Sequence, residues 1–114
     1  MTPRSRIAAA KLAAAAPLFT ALGDETRLGI VGRLSSEGPL SISRLADGAP
    51  MSRQAITKHL RVLADAGVVR GQRQGRERIW RLRERKLDEA RQTLGEISAQ
   101  WDAAIARLQA LVED

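Results

Sequence analysis

From Ser52 to Gly67 the chain reads Ser-Arg-Gln-Ala-Ile-Thr-Lys-His-Leu-Arg-Val-Leu-Ala-Asp-Ala-Gly. Arg53, Gln54, Thr57, Lys58 and Arg61 supply guanidinium, amide, hydroxyl and ammonium groups, with no carboxylate before Asp65. Such groups can read the edge of a base pair. Arginine reaches guanine O6 and N7, glutamine reaches adenine N6 and N7, and lysine reaches phosphate. On the other side Ile56, Leu60, Leu63 and Ala64 recur at spacings of three and four, which makes one apolar stripe. Ser52 is a natural N-cap, and Gly67 stands where glycine ends a helix in the left-handed conformation. The prediction is a short helix with a buried back and a cationic, amide-bearing front. An ordinary surface helix with solvated charges has the same composition, so the flanking elements must decide.

Those elements are compatible with base reading. Ser43 is expected to cap a short helix over Arg44-Leu45-Ala46-Asp47, ended by Gly48, and Ala49-Pro50-Met51 forms the turn into Ser52. Short helix, tight turn and capped second helix is the helix–turn–helix arrangement, in which the second helix enters the major groove. After Gly67 the period changes. Val68-Val69-Arg70 and Glu77 to Leu82 read as two strands around Gln72-Arg73-Gln74-Gly75-Arg76, with Arg78, Trp80 and Leu82 on one face. This hairpin is a wing whose arginines, Arg73, Arg76 and Arg78, can lie along phosphates or in a narrow minor groove.

Upstream, Arg4 to Ala16 is alanine-rich and helix-prone. Pro17 is expected to open a short helix over Leu18 to Leu22, and Gly23 to end it. Asp24 caps the next helix, Thr26 to Ser35, whose Leu28, Ile30, Val31 and Leu34 are the expected core. Leu40-Ser41-Ile42 is a brief extended piece.

Charge is concentrated where the base-reading groups lie. The 114 residues carry a net charge of +6 and a pI near 11.2. Residues 53–86 hold eleven Lys or Arg against three acids, a local excess of eight. The remainder holds eight bases against ten acids and is slightly negative. A localised basic footprint points to nucleic acid.

Exclusions follow from the same composition. With no cysteine there are neither disulfides nor thiolate metal sites, and one histidine cannot assemble a closed tetrahedral site. No metal and no cofactor is therefore expected. An enzyme is the weakest reading: there is no tyrosine, no Gly-rich phosphate loop, and no paired carboxylates away from helical surfaces. Lys11 interrupts the alanine run that would otherwise resemble a signal peptide. No stretch approaches the ~20 apolar residues of a membrane span, so no membrane partner and a cytoplasmic location are expected.

The last segment carries a heptad. Leu87, Leu94, Trp101 and Leu108 fall seven apart; Ala90, Ile97, Ala104 and Leu111 follow each by three, and Ile105 and Val112 widen the stripe. Eight apolar seam positions in eight predict a long helix with a narrow burial face. At about 28 residues, or ~42 Å, it exceeds what a domain this small can cover. The candidate dimer interface is therefore Leu87, Leu94, Ile97, Trp101, Ala104, Leu108 and Leu111. The expected organisation is a helical arm (1–16), a winged helix–turn–helix unit (17–84) and a dimerisation helix of the same domain (85–114). The fold class is mainly α, α+β, with a two-stranded wing and a long C-terminal helix.

Leu18 to Arg27, Ser52 to Val69 and Arg73 to Leu82 together resemble, in order, the ArsR/SmtB family of winged-helix repressors. The resemblance covers about residues 17–83. It implies a homodimeric transcription factor that binds double-stranded DNA at a near-palindromic operator and represses its own or a neighbouring operon. By that resemblance Arg53, Gln54, Thr57 and Lys58 are the DNA-facing positions of the recognition helix, and Arg73, Arg76 and Arg78 those of the wing. Ser52 and Arg61 complete the candidate set on the helix. The chain departs from the metal-sensing branch: where that branch has a cysteine pair, this one reads Leu40-Ser41-Ile42-Ser43-Arg44-Leu45. Serine hydroxyls are poor ligands for soft metals. An organic inducer, a protein partner or no effector at all stays open. His59 is expected as a half-buried helix residue.

Two other classes compete. Bulk positive charge alone makes a non-specific architectural DNA-binding protein, and the terminal helix alone makes a protein-interaction module. Gln54 and Thr57 beside Arg53 discriminate, because base-edge groups have no use in a purely electrostatic binder.

Overall fold

The computed structural model describes residues 8–113. Helix α1 runs from Ala9 to Leu22 as one piece, through the expected break at Pro17. Pro17 forgoes one amide donor and crowds the carbonyl four residues before it, and the run of alanines ahead of it, the best helix formers, offsets part of that cost. Beyond it, Leu18 and Ala21 are buried and anchor the last turn. The boundary between residues 16 and 17 thus falls inside a helix, and residues 1–7 of the expected arm lie outside the described residues.

Helix α2, Glu25–Glu37, starts where Asp24 Oδ2 accepts from the Arg27 amide at 2.9 Å. It ends at Gly38, whose φ of 84° suits glycine alone. Ile30 and Leu34 are buried, but Leu28 is 55% exposed, contrary to expectation. Two residues from Ile30 along a helix means the opposite face. Strand β1, Leu40–Ser41, leads directly into α3, Ile42–Ala46. The cap of α3 is Ser41, whose hydroxyl accepts from the Arg44 amide at 3.2 Å, and not the predicted Ser43.

Helix α4, Arg53–Asp65, is followed by β2, Val69–Gln74, and β3, Glu77–Leu82. The first wing strand is longer than predicted, and the loop shrinks to Gly75-Arg76. Gly75 has φ 61°, the positive angle that two-residue hairpin loops require. The sheet has three strands in antiparallel order β1-β3-β2, one more than expected, because β1 pairs with β3 through Leu40 and Trp80. Ile56, Leu60, Leu63, Val68, Val69 and Trp80 form the centre of the core.

Helix α5, Glu84–Glu113, has 30 residues. Its first turns pack on the domain, burying Ala90 and Thr93 and half-burying Leu87. Lys11 of α1 pairs with Glu96. Beyond that point the helix runs clear of the domain and stretches the molecule to 66 Å. No helix among the described residues is long and apolar enough to cross a membrane.

Candidate nucleic-acid interface

The site begins with the capping of α4. Ser52 Oγ accepts from the Ala55 amide at 3.1 Å, and Gly67, with φ 80°, closes the other end. The cap fixes where the helix starts, and its buried stripe fixes its rotation. Ile56, Leu60 and Leu63 turn inward and are buried, so Arg53, Gln54, Lys58 and Arg61 necessarily turn outward and are exposed. Thr57 is half-buried, and its hydroxyl donates to the Arg53 carbonyl at 2.8 Å. That hydroxyl spends its proton on its own helix, which leaves its acceptor lone pairs and the methyl group for a partner.

Between α4 and the wing lies a groove of about 650 Å³. Arg53, Gln54, Thr57, Lys58 and Arg61 line it from the helix, Arg76 and Arg78 from the hairpin. Ser52 and Arg73 do not line it: Ser52 spends its hydroxyl on the cap, and Arg73 stands opposite Arg78 across the wing. Five cations and one carboxylate, Glu77, face one another in the groove.

The wing is held to the core through Trp80. Its ring is buried, and the opposing position on β2 is Gly71. A Cβ on Gly71 would come within 3.0 Å of the indole and of Arg78 Nε. The Arg78 guanidinium stacks over the Trp80 ring at 5.6 Å from its centroid, a cation–π contact that restrains the arginine. Arg73–Arg78 and Arg70–Arg81 are two like-charged register partners. Each such pair is destabilising by some tenths of a kcal/mol in a hairpin without an anion.

Several participants escape sequence reasoning. Ser43 accepts a hydrogen bond from Arg53 Nη2 and joins α3 to the start of α4. Arg33 donates to the carbonyls of Arg44 and Leu45 at 3.2 and 3.3 Å, closing the end of α3, while Glu37 holds it from the other side at 2.8 Å. That ion pair raises the Arg33 pKa and lowers that of Glu37. His59 is half-buried as expected, but it faces Arg27 and Asp24 of α2. The backbone N–H of Arg27 holds the Asp24 carboxyl below its ordinary range, and the nearby Arg27 charge acts in the same direction.

The candidate dimer residues divide in two. Leu87 lies against the core of its own chain. Leu94, Ile97, Trp101, Leu108 and Leu111 are exposed, Trp101 by 67%, and Ala104 is half-buried.

A helix-turn-helix domain model matches residues 22–72. The chain is 42% identical over 64 residues to the HTH-type transcriptional regulator Rv2034 of Mycobacterium tuberculosis, covering 56% of this chain and 59% of the relative. Over 65 residues it is 40% identical to the arsenical resistance operon repressor of Escherichia coli, covering 57% and 56%. The chain therefore spans less than two thirds of these two curated relatives. An ArsR-like transcriptional regulator from Rhodococcus sp. RHA1 has the same architecture, with a TM-score of 0.74 and 38% identity, covering 90% of this chain and 95% of that one. Short helix, turn, capped helix and hairpin define a winged helix–turn–helix protein. With these relatives beside it, the chain belongs to the ArsR family of transcriptional regulators.

Proposed function

We propose that the chain is a homodimeric, sequence-specific DNA-binding repressor of its own or a neighbouring operon. The observation that carries this is the groove between α4 and the wing, where Gln54 and the Thr57 methyl sit among five cations. In this reading α4 enters the major groove. Arg53 and Gln54 meet base edges, and Lys58 and Arg61 meet phosphates. Arg73, Arg76 and Arg78 follow the adjacent minor groove or backbone. A phosphate beside Arg73 and Arg78 would relieve their mutual repulsion. Ser52 serves by capping the start of the helix.

The exposed stripe of α5 supports dimerisation, because a run of large apolar groups in water marks a contact surface. On this division residues 17–84 read DNA and residues 85–114 join two copies. The names of relatives that are repressors, from Escherichia coli and Mycobacterium tuberculosis, support repression. The arsenical signal in the first name does not transfer, since soft-metal capture requires thiolates and these 114 residues contain no cysteine.

The test is selection of bound fragments from a random duplex pool. The expected product is a two-fold symmetric site whose halves lie one helical turn apart, about 34 Å. Random duplex held as tightly as any selected fragment would favour the architectural reading.

A further inference from the structure

Of the five cations that line the groove, two are restrained by their own chain. Arg78 stacks on the Trp80 ring, and Arg53 donates from Nη2 to the Ser43 hydroxyl of α3. Among the described residues, Lys58, Arg61 and Arg76 have no such restraint. Arg53 is the first residue of α4, so its side chain leans back toward the N-terminal end of the helix, where the turn and α3 lie.

Helix α3 is a firm base for that contact. Ser41 is buried and caps the helix through its hydroxyl, and Leu45 is buried in the core. Arg33 closes the far end through the carbonyls of Arg44 and Leu45. Because Ser41 does the capping, the Ser43 hydroxyl is left to serve the groove, which it lines together with Arg53.

From this arrangement we infer that Ser43 is a positioning residue for base reading, holding Arg53 in the pose that meets a guanine edge. The inference rests on the sequence-specific reading above and adds how one of its contacts becomes selective. A guanidinium carries five N–H donors; one spent on Ser43 leaves four, and guanine O6 and N7 need two. An unheld arginine surrenders its rotamer freedom when it docks, and it can spend its charge on a phosphate in place of a base. Arg53 has surrendered that freedom in the free protein and offers its donor pair in one place. Immobilising such a side chain costs about two- to tenfold in affinity. Ser43 spares the guanine-bearing site that cost. A duplex on which Arg53 turns to phosphate gains nothing from Ser43, so the saving appears as discrimination.

The test uses an operator selected from a random duplex pool. Arg53→Ala first identifies the base pair that Arg53 reads. Discrimination there, the ratio of affinities for the operator and for the operator changed at that pair alone, is then measured by fluorescence anisotropy for Ser43→Ala and Ser43→Thr. Ser43 is exposed, so both variants should melt at the parental Tm. The proposal expects Ser43→Ala to lower that ratio about two- to tenfold, to leave every other base pair as well discriminated as before, and to add nothing on top of Arg53→Ala. Ser43→Thr keeps an acceptor oxygen and should restore the ratio. A Ser43→Ala variant with parental discrimination at that pair, or one that loses equally on every duplex, would overturn the positioning role while sequence-specific binding stands. Arg53→Ala with no altered base preference would overturn it together with the base-reading role of Arg53. Failure to select any operator would overturn the sequence-specific reading and this inference with it.

Discussion

Arg27 and His59, on α2 and α4, meet with Nη1 3.2 Å from Nδ1. A guanidinium has donors only, so His59 accepts at Nδ1 and its ring proton resides on Nε2. The same guanidinium donates through Nε to the Ala21 carbonyl at 2.7 Å. One side chain thus ties the last turn of α1 to the helix that carries the base-reading groups. Arg27→Ala is expected to lower unfolding stability by about 1–3 kcal/mol, the usual effect of breaking hydrogen bonds made by a charged donor. Arg27→Lys should recover little, because an ammonium lacks the planar fork that serves two acceptors at once. Urea titration checks this; a lysine variant as stable as the parent would refute it.

Asp24 caps α2 and lies 3.8 Å from His59. Its carboxyl titrates below the ordinary value of 3.8 in the folded chain, chiefly because the Arg27 amide donates to the ionised form. The folded state therefore binds fewer protons than the unfolded state in that window. The contribution of Asp24 is complete above the ordinary value and is lost as pH falls through the lowered one. Asp24→Asn keeps a competent cap. The difference in Tm between parent and variant should hold steady from pH 7 to 5 and shrink below about pH 4. A difference that grew on acidification would show the sign to be wrong.

Much of this site was legible because its signals are local. Ser52 and Gly67 bound α4 through their own backbone requirements, and Ile56, Leu60 and Leu63 set its orientation. The wing was half legible. β3 announces itself with Ile79, Trp80 and Leu82, whereas Gln72, Arg73 and Gln74 are polar on both faces and read as loop until paired. Pro17 misled because its penalty is local while the burial of Leu18 and Ala21 is tertiary. The contact between Arg27 and His59 joins residues 32 apart, and nothing in their spacing foretells it. In α5 the heptad marked the helix, but only the fold shows Leu87 and Ala90 covered by their own domain and the positions from Leu94 onward left open.

Gly71 is required by Trp80 across the strand pair. Gly71→Ala would set a methyl group 3.0 Å from Cη2 and Cζ3 of a buried ring. Overpacking of this kind costs about 1–3 kcal/mol. It should also weaken DNA binding, because Arg78 rides on the same ring. Indole fluorescence and operator affinity should change together. An alanine variant with parental fluorescence and affinity would mean that the wing tolerates the displacement.

Gln54 lines the groove from α4 and Arg76 from the wing, and the two should fail differently. The Gln54 amide is exposed and has base-reading chemistry, so Gln54→Ala should cost about 1–3 kcal/mol on a selected operator. It should leave random duplex nearly unaffected and relax preference at one base pair in each half-site. Arg76, at the hairpin tip, offers charge to the backbone. Arg76→Ala should weaken all sequences alike and reduce the slope of log K against log salt by about one. Fluorescence anisotropy on operator and random duplex at several salt concentrations separates the two effects. Parallel losses on both duplexes for both variants would leave the groove purely electrostatic, and with it an architectural protein in place of a sequence-specific one.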